Sequence, residues 1–72
     1  MADARDVEIR GDVIRLGQLL QLAGVADSGG QAKALLAEGG VTVNGEPESR
    51  RGRQLHRGDV VAVEGMEDVR IG

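Results

Sequence analysis

The segment Ser28–Asp59 constrains the fold more than any other part of the chain, because it dictates a helix and a tight hairpin with almost no linker between them. Ser28 stands where its hydroxyl can accept from the free amides of a helix start, and Gln31, three residues on, can reach back to the cap. Ala32, Leu35 and Leu36 then share one face while Lys33 points away from it, and Gly39-Gly40 ends the helix. Val41-Thr42-Val43 follows at once as a strand. Asn44-Gly45 is the dipeptide best suited to a type I′ turn, whose two central residues need positive φ.

The flanking residues complete the pattern. Val7–Arg10 alternates apolar and charged residues before Gly11-Asp12, which reads as a short edge strand and a turn. Leu16, Leu19, Leu20 and Ala23 fall on one face of a first helix, about Leu16 to Ala23, with Gly24 as its stop. Two short helices joined by Gly24–Asp27 cannot bury their apolar faces alone and need a sheet to cover. Pro47 suits an edge position. Arg50–Leu55 reads either as a bent strand or as an extended loop around Gly52. Gly58-Asp59 turns into Val60–Glu64, the clearest strand, and Gly65–Asp68 turns back to a terminal strand at Val69–Ile71. The expected class is α+β: two short helices packed on a small, mostly antiparallel sheet of four to five strands, forming one domain over 1–72.

The core of such a fold must be aliphatic, since the 72 residues include no Phe, Trp or Tyr. Cysteine is also absent, which excludes disulfides and thiolate metal sites as supports. The N-terminus lacks a basic region followed by an apolar run, and no apolar stretch approaches the roughly 20 residues that span a bilayer. A cytoplasmic protein without membrane contact is expected. Catalysis has little to build on: one histidine, His56, and no Gly-rich phosphate loop with Lys-Ser/Thr. The chain reads as no enzyme, with no cofactor, no metal and no small-molecule substrate.

Charge is distributed against the overall balance. The formal net charge is −3, yet four arginines and one histidine, with no acid, lie between Ser49 and Gly58. Acids crowd the two ends, at Asp3, Asp6, Glu8 and Asp12 and at Asp59, Glu64, Glu67 and Asp68. Screening confines such effects to about 8–10 Å at physiological salt, so the local cluster matters more than the total. It points to an anionic partner.

The ordered blocks Arg15-Leu16-Gly17-Gln18-Leu19-Leu20, Gly24-Val25-Ala26-Asp27-Ser28 with Ala32-Lys33, Gly40-Val41-Thr42-Val43-Asn44-Gly45 and Gly58-Asp59-Val60 resemble the S4 RNA-binding domain, or αL motif, over about residues 15–63. The likeness is greatest to small stand-alone bacterial S4-like proteins of the YbcJ type. Two positions depart from the family pattern. Gly17 stands where the family usually has Asp, and Gly29 stands where it usually has Arg or Lys, so one basic side chain at the start of helix two is missing.

The resemblance implies an RNA-binding module, and the residues suggest how it grips. Arginine forks bind phosphate oxygens in pairs, and a helix N-terminus favours an anion. The candidate contacts are Ser28, Gly29, Lys33, Asn44, Arg50, Arg51, Arg53 and Arg57. Without aromatic rings the chain cannot stack bases as single-strand readers do. A structured or double-stranded RNA element, such as one in rRNA or tRNA, is therefore expected, held by a monomer through phosphates and 2′-hydroxyls. Four or five phosphate contacts would give log K against log salt a slope of about −3 to −4.5. Glu46 and Glu48 are the carboxylates that could oppose a cationic stripe, and Arg15 is expected to pair with an acid such as Asp12. Two other readings compete. One is a protein-interaction module whose acidic ends meet a basic partner. The other is a β-grasp sulfur-carrier-like protein, disfavoured because Arg70-Ile71-Gly72 lacks the paired terminal glycines of such carriers.

Overall fold

The computed structural model describes residues 4–72; Asp3, counted above among the N-terminal acids, lies outside them. Strands β1 (Arg5–Val7) and β2 (Val13–Arg15) precede helices α1 (Leu16–Leu22) and α2 (Gly29–Glu38). Strands β3 (Val41–Val43), β4 (Glu46–Pro47), β5 (Gln54–His56), β6 (Val60–Val63) and β7 (Val69–Ile71) follow. Five of them form a sheet in the order β1-β7-β6-β3-β4, and β2 pairs with β5 in a separate two-stranded ribbon. Among the described residues, only the β1–β7 pair is parallel. The α+β class expected from the sequence is the one observed.

One aliphatic core joins both helices to the sheet. Leu16, Leu19 and Leu20 from α1 and Ala32 and Leu36 from α2 are buried with Val41, Val43, Val61, Val63, Val69 and Ile71 from the strands. The inward strand residues alternate with Thr42, Ala62 and Arg70, so the helices cover a single face of the sheet. Leu55, at the middle of β5, is fully buried and ties the ribbon to the same core. Among the described residues, none of those buried as a whole is polar or charged.

Local signals set the two helices and the hairpin. The Ser28 hydroxyl accepts from the Gln31 amide at 3.1 Å, as a helix cap should. Gln31 reaches back one residue further than the expected capping box, so its Oε1 accepts from the Asp27 amide. Asn44 and Gly45 have φ of 51° and 85°, the two left-handed positions of a type I′ turn. Pro47 lies in the edge strand β4, where its missing N–H costs no ladder bond.

Long-range pairing changes the rest. The first strand is Arg5–Val7, not Val7–Arg10, because it is aligned by β7 at the far end of the chain, with the Gly72 amide donating to the Val7 carbonyl at 2.8 Å. Strand β2 was not expected at all; Val13–Arg15 is extended because it pairs antiparallel with Gln54–His56. The same pairing resolves the Arg50–Leu55 ambiguity: the chain loops as far as Arg53 and becomes a strand at Gln54.

Candidate nucleic-acid interface

The two helix starts and the loop between β4 and β5 enclose a cleft of about 450 Å³, lined by Arg15, Gly17, Gln18, Gln21, Gly29, Ala32, Arg51 and Gly52. Its geometry begins with the unpaired amides at the start of α1. The Leu16 amide donates to the Arg53 carbonyl at 2.8 Å and the Gly17 amide to the Arg51 carbonyl at 3.0 Å, so the loop backbone is docked on the helix end. The loop packs closely on Gly17: a β-carbon there would be in van der Waals contact with the Arg51 β-carbon, at 3.4 Å. Arg51 is thereby fixed at the cleft wall, facing the α1 side chains.

The floor comes from α2. Gly29 and Gly30 are its first two residues, whose amides have no helical carbonyl to bond. The Gln21 side-chain amide nitrogen lies over this end, 3.6 Å from where a Gly29 β-carbon would be. Arg15, the residue that caps α1, and Gln18 and Gln21 within it recur every third residue and line the cleft, away from the buried Leu16, Leu19 and Leu20. Arginines, a glutamine amide and helix-start amides thus converge on one concave surface. This is a set of donors suited to phosphate oxygens.

The expected residues are distributed unevenly around it. Gly29 and Arg51 line the cleft. Arg50 and Arg53 instead meet Glu48, at 3.0 Å each. The Glu48 side chain is only 7% exposed, and these arginines hold its carboxyl far below the usual carboxylate range. One carboxylate against Arg50, Arg51 and Arg53 still leaves the loop cationic. Arg57 pairs with Asp12 at 3.0 Å and also donates to the Ile9 carbonyl. Ser28 is engaged as the α2 cap, and Lys33 is exposed on α2 outside the cleft lining.

Asn44 is engaged within the fold: its Nδ2 donates to Asp59 Oδ1 at 3.1 Å and its Oδ1 accepts from the Val60 amide at 2.9 Å. Asp59 also accepts from the His56 amide at 2.8 Å, and this bond, with that from Asn44, lowers its pKa. The β3–β4 hairpin turn is thus tied to the turn between β5 and β6.

Arg15 was expected to pair with Asp12, but Asp12 is taken by Arg57 and Arg15 faces the cleft. Neither Arg15 nor Arg51 has an ion-pair partner among the described residues. Sequence reasoning missed Gln18 and Gln21 as well; the three-residue spacing from Arg15 was the available signal.

The S4 domain family matches residues 7–72, which is wider than the blocks from Arg15 to Val63 that carry the sequence pattern. This chain belongs to the S4 domain family. A curated relative, the "Probable ribosome maturation protein RlbA" of Bacillus subtilis (strain 168), is 48% identical over 68 residues, covering 94% of this chain and 96% of the relative. The S4 domain is an RNA-binding domain, which gives the cationic cleft its functional context. No helix among the described residues is long and apolar enough to cross a membrane.

Proposed function

We propose that this S4 domain, acting as a unit over 1–72, is a non-catalytic module that grips a structured element of ribosomal RNA through its phosphates. The observation that carries this reading is the convergence of Arg15 and Arg51 with the first amides of α2 in one cleft. Arg50 and Arg53 extend the positive surface beside it, and Lys33 and Arg57 contribute field more than contact. The ribosomal partner rests on the similarity to a protein named for ribosome maturation. The absence of aromatic residues supports recognition of shape and backbone over base stacking.

Filter binding of the full chain to 16S and 23S ribosomal RNA transcripts, and to a short RNA duplex, over a series of KCl concentrations tests this. Binding should weaken with salt at a slope of about −3 to −4.5 for four or five phosphate contacts. Arg15→Ala with Arg51→Ala should weaken binding at least tenfold and flatten that slope, with thermal melting nearly unchanged. Salt-independent affinity, or wild-type affinity in the double variant, would remove the cleft from consideration.

A further inference from the structure

Glu48 opens the arginine-rich loop between β4 and β5, an odd place for a carboxylate if the loop exists only to attract RNA. Its amide donates to the Val41 carbonyl at 3.0 Å, so its root is fixed to the central sheet. Its Oε2 accepts from the Ser49 amide at 3.0 Å, the Arg50 amide at 3.2 Å and Arg50 Nε at 3.1 Å. Its Oε1 accepts from Arg50 Nη2 and from Arg53 Nη1, each at 3.0 Å. The side chain is 7% exposed, whereas that of Arg50 is 74% exposed. The carboxylate is therefore covered by the loop it organises, and the Arg50 guanidinium lies outside it.

Resting on the RNA-binding reading above, we infer that Glu48 is a positioning residue: it holds the inner edge of Arg50 so that the outer edge is presented, already ordered, to an RNA phosphate. A guanidinium has five N–H groups in a rigid fork. Nε and one hydrogen of Nη2 are engaged by Glu48, and the Nη1 edge remains for an incoming oxygen pair. Holding a long side chain in place before binding removes the ordering cost that binding would otherwise carry. Arg53, at 29% exposure, completes the clamp from the other side.

The sign of one substitution separates this role from simple charge screening. Glu48→Gln removes a negative charge beside two arginines, so screening alone predicts tighter RNA binding and a steeper salt slope. Positioning predicts the reverse: affinity for the 16S or 23S transcript falls about two- to tenfold, the cost of ordering one free arginine. In an Arg50→Ala background the same substitution should then cause no loss. Arg50→Lys, which retains the charge without the fork, gives a second measure; it should lose affinity comparably, while a screened arginine would tolerate it. Tighter binding by Glu48→Gln, or unchanged binding by Arg50→Lys, overturns the inference. Wild-type binding that survives Arg15→Ala with Arg51→Ala leaves it standing, because that outcome addresses the cleft and not the clamp. If wild type fails to bind ribosomal RNA, the functional reading fails and takes this inference with it.

Discussion

Replacing Asn44 separates two physical contributions to one turn. The residue holds φ at 51° and its side chain makes two hydrogen bonds, to Asp59 and to the Val60 amide. Asn44→Ala keeps a β-carbon in the left-handed region but removes the short polar side chain that lets asparagine adopt it, at about 1–2 kcal/mol. It also removes two hydrogen bonds of about 0.5–1.5 kcal/mol each. The expected loss is about 2–5 kcal/mol. A chain of 72 residues has a total stability of roughly 4–11 kcal/mol, so this is a large fraction of it. Asn44→Gly relieves the backbone strain but loses the same two bonds. Glycine's greater freedom in the unfolded chain, about 0.4–1 kcal/mol, narrows the difference. Alanine should therefore be the worse of the two by roughly 0.5–1 kcal/mol. Urea unfolding followed by far-ultraviolet circular dichroism measures both, since the chain has no aromatic fluorophore. If glycine destabilises as much as alanine, the strain argument is wrong. If both cost under about 0.5 kcal/mol, the Asn44–Asp59 link contributes nothing measurable.

Other perturbations follow from the same geometry. Leu55→Ala should cost about 2–5 kcal/mol in urea unfolding, because the residue is 0% exposed and joins the β2–β5 ribbon to the core. Gly40→Ala should cost about 1–2 kcal/mol by the same assay, since φ is 84° and a β-carbon would meet the Glu64 carboxylate at 3.0 Å. Acid should destabilise the fold through Glu48, held down by Arg50 and Arg53, and through Asp59, held down by the His56 amide. Their folded pKa values lie below the unfolded ones, so their stabilisation is full above the ordinary values of 4.5 and 3.8 and is lost as pH falls through the folded values. The urea midpoint should drop below pH 4.5, and Glu48→Gln should make that decline shallower. Gly29→Arg restores a basic side chain at the start of α2, where no atom lies nearer than 3.6 Å to the new β-carbon. It should tighten RNA binding and steepen the salt slope by about 0.7–0.9 in filter binding.

The sequence by itself determined the elements whose cause is local. Ser28 caps α2 through its own hydroxyl, the leucines of α1 share a face by helical periodicity, and Asn44-Gly45 supplies the two positive φ angles of its turn. These signals involve residues within four positions of one another, and in their order they were enough to identify an S4 domain. Tertiary structure alone decided β1, β2 and the partner of each arginine. Arg5–Val7 is a strand because β7 lies beside it, and Val13–Arg15 because β5 does. The loop carbonyls of Arg51 and Arg53 dock on the amides of α1, which turns Arg51 to the cleft and leaves Arg50 and Arg53 to Glu48. A long charged side chain reaches many positions from one backbone site, so its partner depends on the path of distant segments and not on its neighbours in the chain.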